Sequence, residues 1–378
     1  MRFFHLSDLH IGKHLHLYNL AQDQKYILKQ IVEKAEECHP DAIVIAGDIY
    51  DKSVPSGEAY QLFDEFLNSL AEIKPSIPIL IIAGNHDSQE RLQYASSFLE
   101  RHQIYIATKP PQEEDEHLKK ITLTDSYGEV DFYLFPFTKP GYVRHLFPQE
   151  EVTDYEKAYE LMLKREEIDP SRRSVLVAHQ FFVNQGQKPE VCDSEQMNIN
   201  VGGLDSIDIR VISDFDYVAA GHIHGPQSLG NGRVRYCGTP LKYSFSECQD
   251  NKSLTIVEVK EKGNVEIESI PLVPLHDMVK IKGNFMEIMN PMNFPAIDNN
   301  SYLHITLTDE LDVPEAFRRL NDVYPNLMQM EYDNTRTRQK RELHISTENA
   351  KRNPLEMFAN LYALGVYSSQ GFFVRETI

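Results

Sequence analysis

The chain has 378 residues, of which 41% are hydrophobic and 25% are charged, so it is long enough for more than one globular domain with a substantial core. Its formal net charge of −19 excludes a protein that coats nucleic acid or membrane through bulk positive charge. The four cysteines lack CxxC spacing and no apolar run approaches about 18 residues, so we expect a cytoplasmic protein with reduced thiols and no membrane span.

The first 270 residues alternate short apolar runs with segments of helical periodicity, a pattern typical of α/β folds. The apolar runs are rich in β-branched residues and bounded by turn residues, which predicts buried parallel strands. Helices are predicted near residues 19–38, 55–73, 89–101 and 153–167. The later runs RVRYCGTP, SLTIVEV and VEIESIPL have the turn-linked spacing of a second, antiparallel-leaning sheet. We therefore expect two mixed β-sheets packed face to face and flanked by helices.

A domain boundary is predicted near Pro271–Pro274. Residues 1–270 would form the main domain, and residues 275–335 a small β-β-α-β unit suited to cap its site. Residues 336–378 would form a C-terminal segment in which four apolar residues share a helical stripe: Leu355, Phe358, Ala359 and Tyr362. That stripe could close the cap or dock on a partner helix, and the sequence favours neither.

Five of the predicted strands end in a small loop that carries Asp, Asn or His. Because ligands of open α/β sheets bind outside the carboxyl ends of the strands, we expect these side chains to gather at one sheet edge. They are Asp8, His10, Asp48, Asn85, His179, His222 and His224. Carboxylate, amide and imidazole donors without a thiol suit two adjacent divalent metals. Gly47 and Gly84 would let the backbone turn sharply just beyond two of these strands.

His86 directly follows Asn85, and successive residues at a strand end face different directions. It could therefore lie beside the metals without binding them, where it would protonate a leaving oxygen or stabilise a phosphate. Asp51 and Asp87 are candidates to orient imidazoles, because ligating histidines usually need a partner on the other ring nitrogen. This set suits metal-assisted hydrolysis of phosphoesters.

The motifs SDLH, GDIYD, GNHD, AHQ and GHIH, in this order and spacing, resemble those of the calcineurin-like metallophosphoesterase superfamily. The resemblance implies manganese as the usual metal, although zinc, iron and magnesium remain open. It also implies a catalytic role for His86 without metal ligation. One metal would be bound by Asp8, His10, Asp48 and His224, and the second by Asp48, Asn85, His179 and His222.

Three further features narrow the resemblance to bacterial DNA nucleases of this superfamily. The first motif lies at the N-terminus, a helix follows GDIYD, and a unit of cap size follows residue 270. The resemblance covers roughly residues 1–330. It implies exonuclease activity on double-stranded ends and endonuclease activity on single strands and hairpins. It further implies an ATPase partner of the chromosome-maintenance type, with a role in break processing, recombination and repair.

The helix predicted near residues 55–73 has an unusually broad apolar surface of about 160°. Such a helix is either deeply buried or in contact with another subunit. The family resemblance favours a homodimer, which together with the ATPase would form a heterotetramer. The predicted interface residues are Tyr60, Phe63, Phe66, Leu67, Leu70, Tyr94 and Phe98.

Near the C-terminus, Arg336, Arg338 and Lys340 alternate along the sequence, which would place three positive charges on one face of a strand. They would be either solvated at a sheet edge or in contact with DNA phosphates or the partner. A small-molecule phosphodiesterase or phosphatase of the same superfamily is the alternative function. A non-catalytic scaffold is disfavoured because all seven candidate ligands and His86 are present.

Overall fold

A computed structural model of the protein describes residues 1–196, 205–295, 297, 298 and 300–339. The chain divides into two compact units, Met1–Val279 and Lys280–Ile378. None of the described helices is long and apolar enough to cross a membrane.

The first unit contains sixteen strands and seven α-helices in its described part. In chain order the strands are β1 (Arg2–Leu6), β2 (His14–Leu15), β3 (Tyr18–Asn19), β4 (Ala42–Ala46), β5 (Ile79–Ile82), β6 (Ile104–Ala107), β7 (Lys119–Asp125), β8 (Gly128–Phe135), β9 (Arg173–His179), β10 (Phe181–Val183), β11 (Ser206–Asp208), β12 (Tyr217–Gly221), β13 (Gln227–Leu229), β14 (Val234–Tyr236), β15 (Ser253–Val259) and β16 (Val265–Pro271). The helices are α1 (Ala21–Cys38), α2 (Gly57–Glu72), α3 (Gln89–Leu92), α4 (Ser96–Leu99), α5 (Pro140–Val143), α6 (Tyr155–Arg165) and α7 (Asp193–Gln196).

Two six-stranded mixed sheets form the body of this unit. The first has the order β16-β15-β1-β4-β5-β6, and the second has the order β13-β14-β12-β9-β8-β7. Neighbouring strands from β1 to β6 in the first sheet are parallel, as are those from β14 to β8 in the second. Strands β4 and β5 are entirely apolar and entirely buried, which is the pattern of parallel strands covered on both faces.

The two sheets pack face to face through one apolar core. Phe3 and Val44 of the first sheet belong to the same buried cluster as Phe132 and Val175 of the second. The rings of Phe3 and Phe132 meet edge to face with centroids 5.3 Å apart. Burying each such side chain contributes about 1.5–3 kcal/mol to folding. The predicted α/β architecture of two stacked mixed sheets is therefore confirmed.

Two local predictions about the first unit are wrong. Strands β15 and β16 do not join the second sheet but extend the first, where β15 pairs antiparallel with β1. The helix predicted near residues 89–101 is divided into α3 and α4, because Ala95 between them has a left-handed backbone with φ of 60°. Local periodicity does not indicate which strands pair, because strand partners are chosen by long-range packing. It also does not indicate where a residue within a helical pattern adopts a left-handed backbone.

The second unit is built on a three-stranded sheet of β17 (Met278–Gly283), β18 (Tyr302–Leu307) and β19 (Leu327–Tyr332), in that order. Helices α8 (Phe285–Ile288) and α9 (Ala316–Asn321) accompany it. Its core includes Ile281, Ile288, Ile305 and Leu320, all fully or almost fully buried. The predicted small α/β unit thus contains the expected strands and helix.

Candidate metal centre

The seven predicted ligands all follow the carboxyl ends of parallel strands, at the edge where the two sheets meet. Asp8 and His10 follow β1, Asp48 follows β4 and Asn85 follows β5. In the second sheet, His179 ends β9 while His222 and His224 follow β12. Hydrogen bonds join the sheets here, including those from His179 Nδ1 to Ala46 O at 2.7 Å and from His222 N to Asp8 Oδ1 at 3.1 Å.

The backbone at this edge adopts conformations that side chains other than glycine rarely take. Asp8, His10, Asp48 and His222 have φ values of 53°, 43°, 50° and 104°. Left-handed backbone of this kind costs roughly 1–3 kcal/mol per residue and concentrates at functional sites. Hydrogen bonds across the edge maintain it, such as that from His10 N to Asp48 O at 3.0 Å. Four residues with strained backbone in one cluster therefore indicate a functional site.

One part of the cluster is formed by Asp8, His10 and His224, whose ligand atoms lie within 4.8 Å of one another. The Nε2 atoms of the two imidazoles are 3.2 Å apart. Burial lowers the pKa of His10 to about 3 and holds that of His224 well below its ordinary value. Both rings are therefore neutral and present nitrogen lone pairs to a common point.

The other part is formed by Asp48, Asn85, His179 and His222. His179 Nε2 lies 3.4 Å from Asp48 Oδ2 and 3.1 Å from Asn85 Oδ1. His222 Nδ1 lies 2.9 Å from the same amide oxygen. Because Ala46 O accepts the proton on His179 Nδ1, the Nε2 atom of His179 is the nitrogen directed into the cluster.

Asp48 lies between the two parts, since its Oδ2 atom is also 3.8 Å from His10 Nε2. Burial disfavours its charged form, yet His179 and the other imidazoles hold its pKa well below the ordinary value. Burial likewise opposes protonation of His179, but attraction to Asp48 raises the pKa of that imidazole to about 9. Asp48 is thus ionised and placed to serve both parts of the cluster.

The residues present fit divalent cations. Buried carboxylates, one amide oxygen and imidazoles converge here, and burial raises the pKa of Asp8 to about 7. A divalent cation would neutralise the buried carboxylates and satisfy nitrogens that now face one another. The donor set of oxygen and imidazole nitrogen suits manganese, and also zinc, iron or magnesium.

His86 lies beside the cluster and is held by two hydrogen bonds. Its backbone N–H donates to Asp48 Oδ1 at 2.8 Å, and its Nδ1 donates to the backbone oxygen of Asp51 at 2.9 Å. The opposite nitrogen, Nε2, lies 4.0 Å from Asp48 Oδ2, and the side chain is 25% exposed. The ring is therefore oriented towards the cluster and open to solvent, as a proton donor to a bound substrate must be.

Asp87 acts differently from the predicted orientation of imidazoles, whereas Oδ1 of Asp51 lies 3.8 Å from His10 Nδ1. Asp87 accepts hydrogen bonds from the backbone N–H groups of Ile49, Tyr50 and Gly84, at 3.1, 3.0 and 2.9 Å. It therefore ties together the loops after β4 and β5, and burial raises its pKa to about 6. The side chain of Asp51 pairs with Lys13 at 2.7 Å, and it is the backbone of Asp51 that orients His86.

Several residues that support the site were missed in the sequence. Gln24 on α1 donates to the backbone oxygen of His10 at 2.7 Å and accepts from Gly12 N at 2.9 Å. Ser194 and Glu195, on α7, contact His224. None of these residues ends an apolar run, so no local signal marked them.

Most of the predicted dimer interface is already covered by its own chain. The side chains of Phe63, Phe66, Leu67 and Leu70 on α2 are buried within the first unit, which corrects their assignment to an exposed contact surface. A buried side chain offers no area to a partner. Tyr60 is half-buried and its ring is tilted by 58° against that of Tyr50, with centroids 5.1 Å apart. By contrast, Tyr94 and Phe98 are 83% and 61% exposed.

The basic residues near the C-terminus do not form a strand. Residues 335–339 are helical, so the predicted alternation on a strand face is wrong. Arg336 pairs with Asp312 at 2.7 Å, and Arg338 pairs with Asp333 at 2.8 Å. These acidic partners reduce the charge available for DNA. Lys340 and the stripe at residues 355–362 lie outside the described residues.

Comparison with known proteins agrees with this geometry. Residues 1–226 match the calcineurin-like phosphoesterase family, and residues 274–364 match the type 5 capsule protein repressor C-terminal domain. The chain is 34% identical over 330 residues to a protein of Staphylococcus epidermidis that is named as the D component of the nuclease SbcCD, covering 87% of this chain and 84% of that protein. The protein of the same name from Staphylococcus saprophyticus is 33% identical over 330 residues, with the same coverage of 87% and 84%.

Among solved structures, GAP50, described as the anchor in the inner membrane complex of Plasmodium, aligns with a TM-score of 0.41 at 14% identity. That alignment covers 84% of this chain and 98% of the other. The phosphoesterase match at residues 1–226 spans every strand end that carries a cluster residue.

Proposed function

The chain belongs to the calcineurin-like phosphoesterase family, and from this premise we propose that it is a metal-dependent DNA nuclease. The observation that carries the proposal is the complete cluster of seven oxygen and nitrogen donors at the edge of the two sheets. The choice of DNA as substrate is supported by the two staphylococcal relatives, which are named nucleases.

Two divalent cations, which we propose to be Mn²⁺, would share the cluster. Asp8, His10, Asp48 and His224 would hold one, and Asp48, Asn85, His179 and His222 would hold the other. When bound, such a pair polarises a phosphoryl group and makes water a stronger nucleophile at neutral pH. The strained backbone at Asp8, His10 and Asp48 supports this assignment, because it holds the donors in place before any cation arrives.

His86 would transfer the proton in this reaction. The bond from its Nδ1 to Asp51 O leaves Nε2 as the nitrogen that would carry the transferred proton. From there it would pass to the oxygen leaving the scissile phosphodiester. Its exposed edge supports this role, because the donor must contact a substrate that enters from solvent.

We further propose that the protein works in the cytoplasm with an ATPase partner of the SbcC type in DNA break processing, recombination and repair. Both relatives carry the name of one component of SbcCD. The net charge of −19 supports the need for a partner, because the isolated chain has little general attraction for DNA phosphates. A homodimer would then use the exposed aromatic residues Tyr94 and Phe98 rather than the buried face of α2.

The experiment that tests the proposal is digestion of end-labelled duplex, single-stranded and hairpin DNA with Mn²⁺ and with EDTA. We expect cleavage of DNA with Mn²⁺ and none with EDTA. In parallel, p-nitrophenyl phosphate and bis(p-nitrophenyl) phosphate serve as small substrates. Rapid hydrolysis of these esters with DNA left intact would instead identify a small-molecule phosphatase or phosphodiesterase.

A further inference from the structure

A buried ion pair lies behind His224, away from the donors of the metal centre. Glu247 is 0% exposed and Lys252 is 5% exposed, and Lys252 Nζ lies 2.7 Å from Glu247 Oε2. Burying two charges is unfavourable unless further hydrogen bonds compensate. The two charges therefore need hydrogen bonds beyond the ion pair itself.

Residues around this ion pair contact both the backbone and the ring of His224, where Cys192 Sγ also lies 3.8 Å from Nδ1. Lys252 Nζ donates to the backbone oxygen of His224 at 2.9 Å, and the carboxylate of Glu195 accepts from the backbone N–H of His224. On the ring, Nδ1 lies 2.9 Å from Ser194 Oγ. Ser194 Oγ in turn lies 3.4 Å from Glu247 Oε1. The backbone and the imidazole of this one histidine are thus held from separate directions.

The orientation of these bonds follows from the charge of Glu247. Glu247 is ion-paired with Lys252 and accepts hydrogen bonds, so the hydroxyl of Ser194 donates to it and accepts the proton on His224 Nδ1. The Nε2 atom is then unprotonated and directed at His10 Nε2, 3.2 Å away. His179 differs, because its Nδ1 is held by a backbone carbonyl.

We infer that Ser194 and Glu247 are positioning residues that select the ring orientation and tautomer of His224. The inference rests on the proposed role of His224 as a metal ligand. Outer partners of ligating histidines typically change metal affinity by about 10–100-fold when they are removed. In the part of the chain that the structure describes, His224 is the one proposed ligand that the Ser194 hydroxyl contacts, so we expect only the metal bound through His224 to be affected.

The test is a titration of the metal-free full chain with Mn²⁺. Binding is measured by calorimetry and by the electron paramagnetic resonance signal of free Mn²⁺. We expect wild type to bind two ions per chain. In Ser194→Ala, one binding step weakens by about 10–100-fold and the other is unchanged. Ser194→Thr retains the hydroxyl and restores the affinity of the weakened step. Ser126→Ala, at an exposed position in the turn between β7 and β8, is the control.

Glu247→Gln, alone and combined with Ser194→Ala, tests whether the carboxylate acts through the serine. We expect Glu247→Gln to weaken the same step, and the double variant to be no weaker in that step than Ser194→Ala alone. Circular dichroism verifies that each variant is folded. If Glu247→Gln does not fold, the result for Ser194→Ala alone decides whether these residues position His224.

Two results would overturn the inference while leaving the proposed function intact. In the first, wild type binds two Mn²⁺ ions and Ser194→Ala binds both with unchanged affinity. In the second, the affinities of both binding steps weaken equally in Ser194→Ala. A wild type that binds no Mn²⁺ would instead overturn the proposed function itself, and this inference with it.

Discussion

His10 and His224 come from opposite sheets, and their Nε2 atoms approach to 3.2 Å at the centre of the site. Burial keeps both rings neutral, because it lowers the pKa of His10 to about 3 and that of His224 well below its ordinary value. At this distance one shared proton can join the two nitrogens, whereas a cation bound in the folded state would accept a lone pair from each ring. Binding of metal and stability of the fold should therefore be linked.

The first prediction concerns this linkage. Mn²⁺ at about a hundred times its Kd should stabilise the protein by about 2.7 kcal/mol for each site in urea unfolding. Asp48→Ala should remove this gain, because Asp48 Oδ2 lies near both His10 and His179. Asp64→Ala, which alters an exposed carboxylate on α2, serves as the control and should keep the full gain. Equal stabilisation of Asp48→Ala and wild type would refute the role of Asp48.

The second prediction separates catalysis from metal binding. His86→Gln should reduce cleavage of labelled duplex DNA by about 10²–10⁴-fold, the range for loss of a proton donor. Metal content measured by mass spectrometry should stay at the wild-type level, because His86 is not among the proposed ligands. His145→Gln, at an exposed position, should retain full activity. An active His86→Gln variant would remove His86 from the mechanism.

The third prediction concerns the glycine that follows β5. A Cβ atom on Gly84 would overlap the carboxylate and the backbone nitrogen of Asp48. Gly84→Ala should therefore destabilise the protein by about 1–3 kcal/mol and weaken the binding of Mn²⁺. Gly57→Ala is the matched control, since nothing lies near its Cβ position at the start of α2. Unfolding by urea and calorimetric titration measure the two effects. If Gly84→Ala matches Gly57→Ala in both, the close approach does not matter.

The fourth prediction is a dependence of stability on pH that arises from His5. Burial, reinforced by the charge of Arg235, lowers the pKa of His5 from 6.5 to about 3. The unfolded chain therefore binds a proton at this residue between pH 6.5 and 3 that the folded chain does not. The stabilising contribution is complete above pH 6.5 and falls with pH, at up to about 1.4 kcal/mol per pH unit.

His5→Asn keeps a polar atom near Tyr217 Oη, the partner of His5 Nδ1 at 2.9 Å, but does not titrate. Urea unfolding in EDTA at pH 7 and pH 5 should show a shallower loss of stability for His5→Asn than for wild type. His145→Asn is the exposed control. A slope that is the same in all three proteins would contradict the prediction.

The fifth prediction addresses the proposed homodimer. Sedimentation velocity at micromolar concentration should give a dimer for wild type and a monomer for the variant Tyr94→Ser with Phe98→Ser. Loss of an aromatic anchor typically costs more than about 1 kcal/mol at an interface, so two should weaken association at least tenfold. Leu17→Ser, at another exposed apolar position, should remain dimeric. A wild-type chain of monomer mass would end the dimer proposal.

The amino-acid sequence by itself determined the α/β class and the residues of the centre. Both follow from local rules: short apolar runs such as AIVIA and ILII are typical of buried strands, and Asp48 and Asn85 lie in the turns just beyond them. The parallel arrangement then brings strand ends together whatever the distance along the chain.

Tertiary structure alone decided which sheet receives β15, which face of α2 is covered, and what holds the ligands in place. Asp87 binds backbone amides of two loops, and Ser194 with Glu247 reaches His224 from another region of the chain. Such contacts join residues far apart in sequence that carry no periodic pattern. They depend on the packing of the whole unit, whereas a strand and the residue at its end depend on their neighbours in the chain.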